Sequence, residues 1–280
     1  MAFVTRFAPS PTGYLHRGHA YSALTAHKAA LEAGGRFLLR IEDIDTTRSR
    51  PEHEAAILED LAWLGLSWER PVRRQSEHLA EYHAAIETLR ARGLVYRCFK
   101  TRKEIDIGRA PHEPTVPYVG APLPQDEEAE RLARGEAFAW RLSLAAARDA
   151  LCGFESLTFT EEGAGPNGET GLIHARPETA GDIVLARKDV GVAYHLAVDH
   201  DDALQGVTHV IRGHDLFEAA HIQRLLQALL DLPTPAYRHH GLLLGPDGKR
   251  YAKRDKAQTL RELRAAGISP EALREEFGFA

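Results

Sequence analysis

Cysteine and methionine are scarce in this 280-residue chain, which has two of the first and one of the second. Two thiols, Cys98 and Cys152, make no disulfide framework and cannot alone supply a four-thiolate metal site, so the chain is expected in a reducing, cytoplasmic setting. No uncharged run approaches the length of a membrane span, and the opening Met1-Ala2-Phe3-Val4-Thr5-Arg6-Phe7-Ala8-Pro9 lacks the apolar core of a signal peptide. Charge is not one-sided either: 35 basic against 40 acidic side chains leave −5. Nucleic acid is therefore not held by global positive charge, and any RNA or DNA partner must meet a local basic patch. What is present, 44% hydrophobic and 27% charged residues, is the composition of a soluble globular protein. Its length suggests about two domains.

Phe3 to Phe7 alternates apolar and polar residues and runs into Ala8-Pro9-Ser10-Pro11-Thr12-Gly13, which reads as strand then loop. Helical spacing from about Gly18 stops at Gly34-Gly35, and Arg36-Phe37-Leu38-Leu39-Arg40-Ile41 reads as a strand buried on both faces. The first 41 residues are thus a parallel β-loop-α-β unit, common to any doubly wound fold. Helices are expected at Pro51 to Leu64 and, capped by Ser76, at Glu77 to Arg92, where Leu79, Tyr82, Ile86 and Leu89 form a purely core face. Five prolines break up Cys98 to Pro124, an irregular insertion or small subdomain. Strand candidates follow at Phe138 to Leu142, Leu157 to Phe159, Ile183 to Arg187, Tyr194 to Val198, Val207 to Arg212 and Tyr237 to Leu244. Asp215 and Glu218 suggest a capping box for a helix Leu216 to Leu230; Gly245-Pro246-Asp247-Gly248 is a turn, and two short helices end the chain.

Four segments carry chemistry. His16-Arg17-Gly18-His19 puts two imidazoles at a helix start after a strand, where unpaired N–H groups and the helix dipole gather phosphate. Lys249-Arg250-Tyr251-Ala252-Lys253-Arg254-Asp255-Lys256 holds five cations in eight residues, either a solvated face or a clamp over triphosphate. Glu42, Asp43 and Asp45 follow a strand, placed for Mg²⁺, an amine or a ribose, or simply for pairing with Arg40 and Arg48. Arg212, at the exit of another strand in Arg212-Gly213-His214-Asp215, suits bidentate reading of a carboxylate.

Together these segments resemble the glutamate-specific class I aminoacyl-tRNA synthetases. The most specific part is Arg6-Phe7-Ala8-Pro9-Ser10-Pro11-Thr12-Gly13; His16 to His19 is similar to that family's HIGH signature and Arg250-Tyr251-Ala252-Lys253-Arg254 to its KMSKS signature. The resemblance implies an α/β fold: a Rossmann-like doubly wound parallel sheet with an inserted subdomain and a C-terminal helical segment. On that reading residues 1–97 and 138–244 are the two halves of the catalytic domain, 98–137 the insertion, and 245–280 the KMSKS loop and helical end. The chain ends 26 residues after Arg254, so an anticodon-binding domain is not expected and the short branch of the family is indicated. That branch implies activation of L-glutamate by ATP with Mg²⁺ without tRNA, and transfer to the queuosine wobble base of tRNA(Asp). A cytoplasmic monomer with no membrane partner is expected. Val198, where full-length members usually have Asn, agrees.

The resemblance further implies a glutamate site of Arg6, Ser10, Glu42, Tyr194 and Arg212, and ATP handling by His16, Gly18, His19 and Lys253. Three positions depart from the family pattern. Arg17 replaces an apolar residue and is expected to point away from ATP, while Ala252 replaces the serine but keeps the adjacent Lys253. At the family's zinc positions stand Cys98, Lys100, Tyr118 and Pro122, which do not make a tetrahedral site, so zinc is expected to be absent. Two alternatives share the motifs: an ATP-dependent glutamate ligase for a carrier protein or small amine, and a catalytically silent RNA-binding paralogue.

Overall fold

Strand β1 (Val4–Phe7), helix α1 (Arg17–Glu32) and strand β2 (Arg36–Ile41) form the expected parallel unit, with Val4 opposite Arg36 and Phe7 opposite Leu39. The coordinates are a computed structural model that describes residues 2–105, 117–187, 191–243 and 258–279. Helix α1 buries Ala20, Ala23, Leu24, Ala26, Ala29 and Ala30, a mostly small-residue stripe that lets it lie close to the sheet. Gly34 then takes φ +58°, a left-handed turn favourable to glycine, and returns the chain to β2. Helix α2 (Pro51–Trp63) leads to β3 (Glu69–Arg74), which pairs with β2 in parallel.

Helix α3 (Leu79–Ala91) begins later than its spacing suggests, after a 3₁₀ turn over Gln75–His78. Ser76 is not its cap. Instead Ser76 gives its N–H and hydroxyl to the Asp43 carboxylate at 2.8 and 2.6 Å, because Asp43 at the end of β2 is the nearer charged acceptor. Strand β4 (Val95–Cys98), helices α4 (Arg102–Ile105) and α5 (Gln125–Ala133), and strand β5 (Ala139–Leu142) follow. Segment 98–137 thus connects two adjacent antiparallel strands. Helix α6 (Leu144–Ala150), strands β6 (Thr158–Glu161), β7 (Gly171–His174), β8 (Val184–Arg187) and β9 (Gly191–Val192) come next, and β4-β5-β8-β9 make one antiparallel sheet.

The expected strand Tyr194 to Val198 is instead the first part of helix α7 (Tyr194–Leu204). A five-residue apolar run fits either state, and tertiary packing decides: Leu196, Ala197 and Val198 face the core while Asp199, Asp201 and Asp202 are buried against cations and polar partners. Strand β10 (His209–Gly213), helix α8 (Phe217–Leu229) and strand β11 (Ala236–His240) complete the second half. Asp215 sits in a 3₁₀ turn over His214–Leu216, and Leu216, the residue before α8, makes no side-chain cap. The strand expected to reach Leu244 stops at His240, with 241–243 irregular. The 245–248 turn and the cationic run 249–256 lie outside the described residues. Helices α9 (Leu260–Ala265) and α10 (Pro270–Glu276) pack Leu260, Leu263 and Leu273 into the α1–α2 core.

Two sheets, β3-β2-β1 and β10-β11-β6-β7, meet where β1 and β10 start: Thr208 N–H donates to Val4 O at 2.9 Å, and Val4 N–H to Thr208 Oγ1 at 2.9 Å. All pairs among β3, β2, β1 and among β10, β11, β6 are parallel. The reversal of strand order between β1 and β10 opens a crevice at their C-terminal ends, the place where doubly wound sheets bind ligands. Among the described residues no helix is long and apolar enough to cross a membrane.

Candidate active site

A cleft of about 850 Å³ fills that crevice, lined by Arg6, Ser10, Glu42, Tyr194 and Arg212 and, at its other end, His16, Gly18 and His19. The expected residues that the structure describes, at positions 6–19, 42, 194 and 212, therefore meet in one place. A neighbouring recess of about 350 Å³ shares Ser10, Thr12, Glu42 and Tyr194 with it and adds Asp45, Arg48 and Arg187.

On the β1–β2 side the charges cancel. Arg6 presents Nε and Nη2 to the two oxygens of Asp202 at 2.9 and 3.1 Å, and Arg40 donates to Asp202 at 2.7 Å and to Glu42 at 3.1 Å. Asp201 takes Arg73 at 2.8 Å, Gln75 at 2.9 Å and the Tyr82 hydroxyl. Tyr82 is thus more than a core residue. Burial would lower the Arg40 pKa, but Asp202, Glu42 and Asp201 outweigh it and hold the guanidinium charged; burial likewise opposes ionisation of Asp202, and Arg6 and Arg40 prevail and lower its pKa. Burial pushes the Glu42 carboxyl up against the pull of Arg40 and Arg6, which makes it responsive to an arriving ammonium. The Tyr194 phenol is pushed up by burial and stays a donor, and His195, lowered to about 4 by burial and Arg212, stays neutral.

Arg212 is different. It is 5% exposed, its Nε donates to His239 Nε2 at 3.0 Å, and both Nη nitrogens are buried without a hydrogen-bond partner among the described residues. Buried donors of a charged group are costly unless something completes them. A carboxylate meeting this fork end-on would supply two charge-assisted hydrogen bonds.

At the other end, His16 caps α1 with its side chain. Its Nδ1 accepts from Gly18 N–H at 3.1 Å, and His19 Nδ1 accepts from His16 N–H at 3.2 Å, with ring centroids 3.8 Å apart. Each Nδ1 is therefore an acceptor, which leaves the proton of each neutral ring on Nε2, a donor suited to phosphate oxygen. Gly18 serves this cap: a Cβ there would stand 3.1 Å from His16 Cε1 and 3.2 Å from Nδ1. Arg17 leans the other way, onto Glu276 of α10 at 3.1 Å. Lys253 lies outside the described residues. Of the residues flanking that segment, Leu243 lines the cleft, and Thr259 bridges to His16 while Leu260 N–H donates to Leu15 O at 2.8 Å.

The acidic trio after β2 is divided: Glu42 faces the cleft, Asp43 holds Ser76, and Asp45 pairs with Arg48 at 2.5 Å. At the zinc positions, Cys98 Sγ lies 3.8 Å from the Tyr118 hydroxyl, Lys100 sits 5.8 Å and Arg141 4.6 Å from the Tyr118 ring centroid, and Pro122 lies in the irregular stretch before α5. Two cations on the phenol are the reverse of a metal's donor set, and burial pushes the Tyr118 hydroxyl up. These residues do not fit zinc. Asp202, His239 and Glu161 are part of the site's support and were missed in the sequence, since none stands within a recognisable motif.

A model of the tRNA synthetases class I (E and Q) catalytic domain matches residues 2–278. A glutamyl-Q tRNA(Asp) synthetase of Rhodobacter capsulatus is 48% identical, with 98% of this chain and 99% of the relative covered. One from Symbiobacterium thermophilum is 42% identical over 96% of this chain and 83% of its own. Glutamate–tRNA ligase 2 of Dinoroseobacter shibae is 41% identical over 96% of this chain but only 59% of the ligase. Among solved structures, a glutamate–tRNA synthetase of Elizabethkingia anophelis superposes with a TM-score of 0.77 at 29% identity, covering 91% of this chain and 53% of that one. The Rossmann-like doubly wound fold, the convergent cleft and these relatives agree: the chain belongs to the class I glutamate and glutamine tRNA synthetase family, a family of ligases, on the branch of the glutamyl-Q tRNA(Asp) synthetases.

Proposed function

We propose that this chain activates L-glutamate with ATP·Mg²⁺ without tRNA and transfers the glutamyl group to the queuosine base at the wobble position of tRNA(Asp). The observation that carries the reading is the unpartnered Arg212 fork facing the same cleft as Glu42. Glutamate has two carboxylates and one ammonium. Arg212 and the Arg6 nitrogen not engaged by Asp202 complement the carboxylates, Glu42 complements the ammonium, and Ser10 and Tyr194 add polar contacts.

Activation needs no general base, because the attacking carboxylate is already ionised near neutral pH. Its oxygen bonds to the α-phosphorus as the bond to pyrophosphate breaks. The Nε2–H groups of His16 and His19, with Lys253 as the family pattern implies, stabilise the charge that grows on the phosphates, so positioning and charge stabilisation carry the rate. A queuosine hydroxyl then attacks the mixed anhydride, forming an ester and releasing AMP. The branch relatives, one of them aligned over nearly its full length, support the acceptor. The reading extends to a subdomain that holds without metal and to a monomer acting in the cytoplasm.

Charging of tRNA(Asp) with and without queuosine tests the acceptor: only the modified tRNA takes up glutamate, and equal labelling of both, or of neither, overturns it. Glutamate-dependent exchange of pyrophosphate into ATP without tRNA tests activation. Protein purified without added metal is expected to hold no stoichiometric zinc by elemental analysis; one zinc per chain would refute the metal-free subdomain.

A further inference from the structure

At the C-terminal ends of three neighbouring strands the parallel register sets Arg212 of β10 beside His239 of β11, and Glu161 ends β6 on the far side. His239 and Glu161 are as buried as Arg212. Arg212 Nε donates to His239 Nε2, and His239 Nδ1 lies 2.5 Å from Glu161 Oε2. Arginine has only donors, so His239 Nε2 carries no proton, and the ring proton sits on Nδ1, donated to Glu161. Glu161 is pinned in turn, its Oε1 accepting the N–H groups of His239 at 2.8 Å and Gly163 at 2.9 Å. Tyr237 stacks parallel to the His239 ring at 5.9 Å, and Phe217 meets it edge-on at 5.1 Å. The imidazole cannot turn without breaking these contacts.

The edge by which a guanidinium is held decides what it can still bind. Asp202 takes Arg6 side-on, consuming Nε and Nη2 and cancelling its charge. His239 offers Arg212 one neutral acceptor, consumes only Nε, and leaves the charge intact. Burial lowers the His239 pKa against the pull of Glu161, in keeping with a neutral ring. We propose that His239 and Glu161 are positioning residues for substrate binding, holding Arg212 by its Nε edge so that both Nη nitrogens present a charged, end-on fork to a carboxylate of glutamate. This rests on the reading in which Arg212 binds glutamate. An acid in place of His239 would neutralise the fork, and an apolar ring would release it.

The test is calorimetric binding of L-glutamate and of ATP·Mg²⁺, each to the full chain, with Arg212→Ala as reference. His239→Phe, which keeps a ring but removes the acceptor, raises the glutamate Kd about ten- to a hundredfold and changes the ATP Kd by less than about twofold. His239→Gln, which can return an oxygen acceptor to the Arg212 edge, recovers most of that loss. Glu161→Gln, which keeps shape and removes the charge that orients the ring, weakens glutamate by about three- to tenfold. If Arg212→Ala weakens glutamate but His239→Phe does not, or if His239→Phe weakens both ligands equally with no recovery in His239→Gln, the positioning role is wrong. If Arg212→Ala itself leaves glutamate binding intact, the glutamate reading of the site fails first. Should His239→Phe not fold, Glu161→Gln decides, and an unchanged glutamate Kd there overturns the proposal.

Discussion

The two halves of the split sheet treat buried charge in opposite ways. On the β3-β2-β1 side Arg6, Arg40 and Arg73 each meet a carboxylate of α7, so each guanidinium charge is answered by a carboxylate of the fold. Across the cleft Arg212 meets a neutral imidazole, and among the described residues two of its nitrogens have no hydrogen-bond acceptor. Both arrangements cost desolvation, but only the first pairs its cations with carboxylates of the fold. A charge-paired cluster serves as a floor, and a cation with no carboxylate partner among the described residues serves as a receptor.

The contrast is broken most directly at Asp202. Asp202→Ala leaves Arg6 and Arg40 buried with one carboxylate fewer and should lower unfolding free energy by about 3–5 kcal/mol, read from urea denaturation. A loss under about 1 kcal/mol would mean that the floor is not held by this pairing. Arg212→Ala should leave stability unharmed, since it removes an uncompensated charge, yet reduce glutamate activation about a hundredfold or more with the ATP Kd within about twofold. Equal weakening of both ligands would contradict its assignment to the amino acid. Glu42→Gln keeps the floor's shape and removes one charge, so glutamate should bind about tenfold more weakly by calorimetry, and unchanged binding would remove Glu42 from the ammonium role.

Asp60 supplies the smallest test, as a buried unpaired charge with no cleft to serve. It lies in α2, fully buried, with neither oxygen hydrogen-bonded among the described residues, and burial raises its pKa to about 6. The folded chain thus holds this proton more tightly than the unfolded chain. The carboxyl is harmless below about pH 4, and its penalty grows between pH 4 and 6 and is constant above. Relative to the parent, Asp60→Asn should gain about 2 kcal/mol on going from pH 4 to pH 8. A pH-independent difference would show that the Asp60 carboxyl titrates alike in both states.

Local signals made the first half of the fold legible. Strand β2 lies at Arg36–Ile41 as the sequence indicates, and Gly34 ends α1 by the left-handed turn that glycine favours. The cleft residues were legible too, because Arg6, Glu42, His16, His19 and Arg212 sit in short motifs at the ends of elements. Their partners were not. Arg6 finds Asp202 196 residues away, and His239 stands 27 residues from Arg212 and 78 from Glu161, separations at which a single sequence carries no pairing signal. Helix α7 was misread as a strand over Tyr194 to Val198 because so short an apolar run shows no period that separates the two states, and the buried partners of Asp199, Asp201 and Asp202 lie far off in the sequence.

The imidazole cap of α1 gives Gly18 an unusual genetic character. A side chain there would press on the His16 ring at 3.1–3.2 Å and the imidazole would have to give way, so the position is tied to the histidine's rotamer. In a selection for activity, lesions at residue 18 would sort with lesions of His16, and a second-site change that gives the imidazole more room would restore them.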